Sequence, residues 1–417
     1  MARGLWSAQM RFWRFVSNSR VTLERLIEGW SDQTRIAASG RHVLAIQDTS
    51  EIKFATTKED RRGLGRIKKG NAYGVLLHAM VGVDADTGNC LGLVGGQVWT
   101  RAEERKAPHA QRVLADKESR RWVDTAEQAK EVLAQARTVT VINDREGDFY
   151  AYWARTPEDN IELLSRVMHD HRLVKGGTLR KVVKRVAFSA KAVVELPKRV
   201  DRPGRKAHLS LRFGKVVLKR PRNTLEKDLP ESVVLNFVEV VELHPPKGTE
   251  PVRWLLLTTH KVSRASDGWQ IVAWYKLRWI IEQLFRSMKS QGLQVEDSQL
   301  HTADRLKKLV AIAAKVAVIV IQLVQARGGG CDPLPAHFVF SCEEIEVIEA
   351  LNKSLQGKTE LQKNPHPSNT LTWAAWVIAK LGGWSGYASH KPPGPITFHN
   401  GLAHFQSLAA AWAIAHV

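Results

Sequence analysis

Cysteine is scarce: the 417 residues contain three, Cys90, Cys331 and Cys342. None forms a CxxC pair, which excludes a disulfide-stapled scaffold and a zinc ribbon. The fifteen histidines are dispersed, with no HExxH and no paired Cys/His spacing, so a dedicated zinc centre is not expected. Long hydrophobic runs are few as well. The stretch MARGLWSAQMRFWRF interrupts its apolar residues with charges and does not read as a signal peptide. The most apolar window, Leu309 to Val324, is short and contains Lys315, so it reads as a buried helix and not a membrane span. The expectation is a soluble cytoplasmic protein with no membrane partner.

Acidic residues are the other shortage. Asp and Glu number 42 against 62 Lys and Arg, for a net charge of +20. A balance this basic points to a polyanion, most often nucleic acid, and distribution strengthens the case. Between Arg172 and Lys227, 18 Lys/Arg face three acids (Glu195, Asp201, Glu226), so most of the excess is one patch.

The hydrophobic pattern places elements along the chain. Residues 6–40 look helical, and Val43 to Ile46 form a short buried strand ending at Gln47-Asp48-Thr49. After a basic, Gly-rich loop (Arg61 to Gly70), Tyr73 to Val83 and Cys90 to Thr100 read as a hairpin closed by Asp84 to Asn89. Asp116 to Arg137 reads as a helix with Trp122, Ala126, Ala129, Leu133 and Ala136 on one face. Thr138 to Ile142 is a β-branched run ending at Asn143-Asp144-Arg145, and Ile161 to Val167 is one more strand. The segment from Arg172 to about Thr259 carries short β runs, at Val182-Val183, Leu209 to Leu211, Lys215 to Leu218, Val233 to Val241 and Trp254 to Thr258. It reads as an inserted, basic, β-rich subdomain. Gly328 to Gly330 with Pro333 marks a linker before helical segments at Glu343 to Leu355, Leu371 to Leu381 and from Phe398 onward.

The chemistry concentrates in three places. Asp48 and Asp144 each follow a buried β run, where side chains of neighbouring strands converge. On one helix from Trp269 to Gly292, Tyr275, Arg278, Glu282, Arg286 and Lys289 fall within about 80° of arc, a single carboxylate in a basic stripe. Three carboxylates brought together suit two Mg²⁺ ions, and a metal pair suits phosphodiester chemistry. Glu146 and Asp148 are competing ligands that spacing alone leaves open, and Asp after a strand is also a common turn residue.

These residues carry a resemblance. VLAIQDTS (Val43 to Ser50), VINDREGDFY (Val141 to Tyr150) and Tyr-x2-Arg-x3-Glu-x6-Lys at Tyr275, Arg278, Glu282 and Lys289 resemble the DDE transposases of bacterial insertion sequences. The likeness is to the insertion-sequence-four family and its Tn-five-like members. It extends over about residues 11 to 417, including Trp254 to Thr259 and Ala379 to Gly383. It implies an α/β fold with an RNase H-like catalytic core, an inserted β-rich subdomain and an α-helical C-terminal region. The domains implied are 1–40, a remnant of a helical DNA-binding domain; 41–171, the first part of the core; 172–260, the basic insertion; 261–327, the catalytic Glu helix and the next; and 328–417, a dimerisation region.

The same resemblance implies that Asp48, Asp144 and Glu282 are catalytic and hold two Mg²⁺, with Mn²⁺ able to substitute. Tyr275, Arg278, Arg286, Lys289 and Arg145 would contact DNA phosphates, and Trp254 and Trp279 would stack on a flipped base. Such enzymes nick each transposon end, form and reopen a DNA hairpin, and join the ends to target DNA within a synaptic homodimer on the nucleoid. The N-terminal domain is shorter than in full-length relatives, so an alternative expectation is an inactive or inhibitory protein that acts by dimerisation.

Overall fold

The structure is a computed structural model, and it describes residues 2–57, 60–67, 72–101, 112–196, 204–329, 334–387 and 389–415. Cys331, Gly330 and Pro333 of the expected linker, and Lys198, Arg199 and Arg202 of the basic patch, lie outside the described residues.

Three helices open the chain, α1 (Ala2–Ser17), α2 (Leu23–Glu28) and α3 (Asp32–Ala37), followed by strand β1 (His42–Lys53). Next come β2 (Gly65–Arg66), β3 (Tyr73–Asp84), β4 (Cys90–Trp99), α4 (Arg120–Val132), β5 (Thr138–Asn143), α5 (Tyr150–Arg155) and β6 (Ile161–Arg166). A short helix α6 (Leu179–Arg185) precedes β7 (Ala190–Leu196), β8 (Arg205–Lys219), β9 (Ser232–Glu242) and β10 (Arg253–Thr258). The remainder is helical: α7 (Ala265–Leu277), α8 (Trp279–Lys289), α9 (Ala303–Ala326), α10 (Cys342–Leu355), α11 (Leu371–Leu381) and α12 (Pro395–Ala415). The fold is therefore mixed α/β with a helical C-terminal region.

The chain divides into two compact units. One comprises Met1–Ser39, Thr49–Glu104 and Ile280–Val417; the other comprises Gly40–Asp48 and Arg105–Trp279. In the second unit the strand order is β1-β5-β6-β10-β9-β8-β7. β1 and β5 pair in parallel, with Ile46 opposite Ile142, and β5 pairs in parallel with β6. Parallel neighbours need a crossover, and α5 supplies the one between β5 and β6. Helix α4 buries Trp122, Ala126 and Ala129, the face that its apolar spacing marks.

Beyond β6 the structure departs from the sequence reading in three ways. The segment read as an insertion extends the same ladder, because β10 pairs antiparallel with β6 and then receives β9, β8 and β7. The two runs read at 209–211 and 215–218 are one fifteen-residue strand, β8. Gly214, which suggests a break, instead leaves room for the Phe237 ring opposite it on β9. Val182-Val183 lies in α6, where Val183 is buried, and not in a strand.

The first unit packs helices on the β3–β4 hairpin. All twelve residues of β3 are buried, matching its nearly continuous apolar run. On β4, Gly92 has φ +142°, and a Cβ there would collide with Thr34 Oγ1, so glycine lets α3 close on the hairpin. Helix α9 has the length and composition of a membrane span, but more than half of its most apolar window is buried inside the protein. Its polar residues reach backbone carbonyls: Lys308 Nζ donates to Val16 O at 3.2 Å, Lys315 Nζ to Trp30 O at 3.0 Å and Gln322 Nε2 to Cys90 O at 3.2 Å. These are the satisfied contacts of a core helix.

One buried polar cluster makes stability depend on pH. Thr140 Oγ1 lies 2.8 Å from His42 Nε2 and 2.7 Å from His260 Nε2, with the Trp274 ring against both imidazoles. Burial, and then the neighbouring His42, push the His260 imidazole down from 6.5 to about 4. Above pH 6.5 both folded and unfolded chains leave it neutral. Between 6.5 and about 4 the unfolded chain binds a proton that the folded one refuses, so stability falls as pH drops, by about 3 kcal/mol across the window. Melting temperatures measured from pH 7 to pH 4 are expected to fall less steeply in a His260→Gln variant than in the parent.

Candidate active site

Asp48 and Asp144 are brought together by strand register. Ile46 and Ile142, two residues before each, are the last parallel partners of the β1–β5 ladder, so Asp48 and Asp144 follow the same end of one strand pairing, whose backbones run about 4.8 Å apart. Asp48 does not end its strand as its sequence context suggests. β1 continues to Lys53, and what ends beside Asp48 is its partner β5, at Asn143. Asp144 then caps a single 3₁₀ turn, Arg145–Gly147, its Oδ1 accepting from the Glu146 N–H at 2.7 Å. Its carbonyl accepts from Ser165 Oγ of β6 at 3.0 Å.

The two competing acids are otherwise engaged. Asp148 is 1% exposed and accepts from Met168 N, His169 N, His171 Nε2 and Trp153 Nε1 at 2.7–3.1 Å. Burial alone would raise this carboxyl, but His171 and the two backbone N–H groups hold it below the usual range. Glu146 is exposed and paired with Arg121 at 2.8 Å. Asp148 is thus a structural anchor for the turn that carries Asp144.

Cations surround the aspartate pair within the same unit. Arg278 Nη1 contacts Asp48 Oδ2 at 3.0 Å, both side chains 19% exposed. Tyr275 is buried, and burial pushes its hydroxyl up to about 12; Arg278 and Arg166 oppose the shift, while Asp144 and Asp48 add to it. The phenol therefore keeps its proton at neutral pH and is a donor. Trp254, half-buried on β10, meets the Tyr275 ring edge-on at 5.3 Å. Arg145 is exposed on the turn after Asp144.

Arg166 is a member of this group that the sequence reading misses. It ends β6, whose Ser165 is the partner of Asn143, so it is the next position across from Asp144. Burial lowers its guanidinium below the usual arginine value, and Arg145 and Arg278 add to that, while Tyr275 and Asp144 oppose it. The strand-end logic that selects Asp48 and Asp144 applies equally to the last residue of β6, but there the sequence offers a cation.

The basic stripe is not one helix. The hydrogen-bond ladder tightens at Arg278, whose N–H bonds Tyr275 O at 3.1 Å, three residues back, and α8 starts at Trp279. Tyr275 and Arg278 belong to the second unit, whereas Glu282, Arg286 and Lys289 belong to the first. Glu282 is half-buried in the first turn of α8, Arg286 is exposed, and Trp279 is half-buried at the helix start. Lys289 Nζ donates to the Glu51 carbonyl of β1 at 2.6 Å. Burial lowers its ammonium, as does Lys53, while Glu296 and Glu51 act in the opposite sense.

Among the described residues no three His, Cys, Asp or Glu side chains form a ready metal cage. What the second unit supplies is a pair of carboxylates on neighbouring strands, hard oxygen donors of the kind that suit Mg²⁺ or Mn²⁺. Three arginines around them offer donors for phosphate oxygens.

Among solved structures, the chain is similar to a piggyBac transposase synaptic complex with hairpin DNA, at 12% identity and a TM-score of 0.36, over 70% of this chain. It spans 50% of that transposase's length. A family model described as the transposase DDE domain matches residues 39–319, more than half of the sequence, and the chain belongs to that family.

Proposed function

We propose that the protein is a cut-and-paste DNA transposase of the insertion-sequence-four, Tn-five-like branch, built on an RNase H-like core. The observation that carries this reading is that Asp48 and Asp144 lie at the end of the parallel β1–β5 pairing with Arg278, Arg166, Arg145 and Tyr275 near them. Family membership supports it.

In this reading Asp48, Asp144 and Glu282 hold two Mg²⁺, or Mn²⁺ in their place. When bound, such ions lower the cost of forming the attacking oxygen nucleophile and of releasing the leaving oxygen. Arg278 has two tasks: it neutralises Asp48 before DNA arrives, and its guanidinium then offers a fork of N–H donors to the scissile phosphate. Tyr275, still protonated, donates to a neighbouring phosphate oxygen. Arg166 and Arg145 hold the strand on the Asp144 side, and Arg286 and Lys289 contact the DNA end along α8. Trp254 and Trp279 offer indole faces to an extruded base. The basic residues between Arg172 and Arg222 follow the duplex backbone with salt-sensitive affinity. Hairpin formation, a synaptic homodimer formed through the C-terminal helices and a nucleoid location in the cytoplasm belong to the same proposal.

The test is incubation with linear DNA carrying the inverted repeats that flank the gene, in Mg²⁺, with products resolved on denaturing gels. The expected series is a nick at the repeat, a hairpin end and then joined product. Hydrolysis with no hairpin and no joined product would replace this reading with a structure-directed nuclease. Absence of any repeat-specific binding or cleavage, with association to a full-length relative, would replace it with the inhibitory role.

A further inference from the structure

Immediately before each aspartate of the pair stands an amide: Gln47 before Asp48 and Asn143 before Asp144. Both are completely buried. Side chains alternate along a strand, so these amides project to the face opposite the carboxylates. There they meet. Gln47 Nε2 donates to Asn143 Oδ1 at 2.9 Å and to the Tyr152 hydroxyl oxygen at 2.9 Å, with Trp122 O at 3.3 Å. Tyr152 Oη donates to Asn143 Oδ1 at 3.3 Å. One side chain from each of β1, β5 and α5 thus converges on the point where the β1–β5 ladder ends.

Two further features suggest that this cluster is held for more than packing. Asn143 Nδ2 is buried without a hydrogen-bond partner, an arrangement that costs stability where an apolar side chain would cost nothing. Turning the amide over would set the nitrogen against the Gln47 N–H₂, donor against donor, and lose the acceptor that Gln47 uses. The turn that carries Asp144 also lies directly on the Asn143 side chain: a Cβ at Gly147 would stand 2.6 Å from Asn143 Cβ and 2.7 Å from its Nδ2. The Asn143 amide is therefore clamped by Gln47 and Tyr152 on one side and by the Asp144 turn on the other.

We propose that Gln47, Asn143 and Tyr152 are positioning residues that lock the β1–β5 register and the Asp144 turn, and so hold Asp48 and Asp144 at the spacing a divalent cation needs. This rests on the reading of Asp48 and Asp144 as the cation-binding pair. A slip of a fraction of a residue between the strands would separate the carboxylates without unfolding the sheet, and the amide clamp opposes that slip.

The experiment is Mn²⁺ titration of the full chain, followed by electron paramagnetic resonance, in the parent, Gln47→Met, Tyr152→Phe and Asp48→Asn, with melting curves for each. Tyr152→Phe removes one oxygen and keeps the ring, so it carries the test if Gln47→Met fails to fold. The expected result is Mn²⁺ affinity reduced about 10- to 100-fold in both clamp variants. Cleavage in those variants should be restored by raised Mn²⁺, and Asp48→Asn should show neither binding nor rescue. Unchanged Mn²⁺ affinity in a folded Tyr152→Phe protein would overturn the positioning role while leaving the carboxylate assignment standing. Absence of Asp48-dependent Mn²⁺ binding in the parent would overturn both.

Discussion

Replacing Asp48 with Asn is expected to abolish Mg²⁺-dependent strand cleavage, by at least about 10³-fold, while the protein still folds and still binds DNA. The side chain keeps its shape and loses one negative charge. Activation and leaving-group stabilisation by a metal pair are together worth several kcal/mol, and each 1.36 kcal/mol is a factor of ten in rate. Folding should be nearly untouched, because Asp48 is partly exposed and its ion pair with Arg278 is equally exposed. DNA affinity should hold or rise, since a carboxylate facing phosphate is repulsive until a cation sits between them. Asp144→Asn should behave alike, with the Asn side-chain oxygen still able to accept from the Glu146 N–H. Cleavage assays at several Mg²⁺ concentrations, paired with gel-shift on the same DNA, check this. Cleavage that survives in either variant would remove the pair from the chemistry.

The same two aspartates show how far the sequence is legible. VLAI before Asp48 and TVTVI before Asp144 announce buried strands, because β-branched and aliphatic runs of that length have no better place than a covered sheet. The two strands lie side by side because β1 and β5 pair in parallel up to Ile46 and Ile142. The length of β1 was not legible. Thr49, Ser50 and Glu51 break the apolar pattern, yet the strand runs on to Lys53, since ladder hydrogen bonds come from the backbone whatever the side chain. The helical wheel from Trp269 to Gly292 errs for a related reason. A wheel assumes uniform pitch, and one tightened turn at Arg278 divides the stripe, leaving Tyr275 buried against Trp254. Arg166 carries no mark of its own in the sequence, because a strand-end position points to metal ligation only where it holds an acid.

Asp148→Ala is expected to fail in the opposite way, losing stability where Asp144→Asn loses the chemistry. Three residues separate the two aspartates, and both lie in a stretch that the sequence presents as a run of equivalent acids. The buried Asp148 carboxylate takes hydrogen bonds from two backbone N–H groups, an imidazole and an indole. Removing it leaves all four donors without this acceptor, the Trp153 indole among them buried, and His171, 9% exposed at its side chain, loses its anionic partner. Such losses cost about 3–5 kcal/mol, a large share of a typical folding free energy of about 5–15 kcal/mol. In a unit of this size that corresponds to a drop of about 10 °C in melting temperature. The stabilisation is present above the ordinary aspartate range and disappears as pH falls below it, because the folded carboxyl titrates lower than the unfolded one. Scanning calorimetry of Asp148→Ala, Asp148→Asn and Asp144→Asn separates the roles: a large, a smaller and a negligible drop, in that order. An Asp148→Ala protein that melts with the parent but no longer cleaves DNA would move Asp148 into the reactive set and displace Asp144 from it.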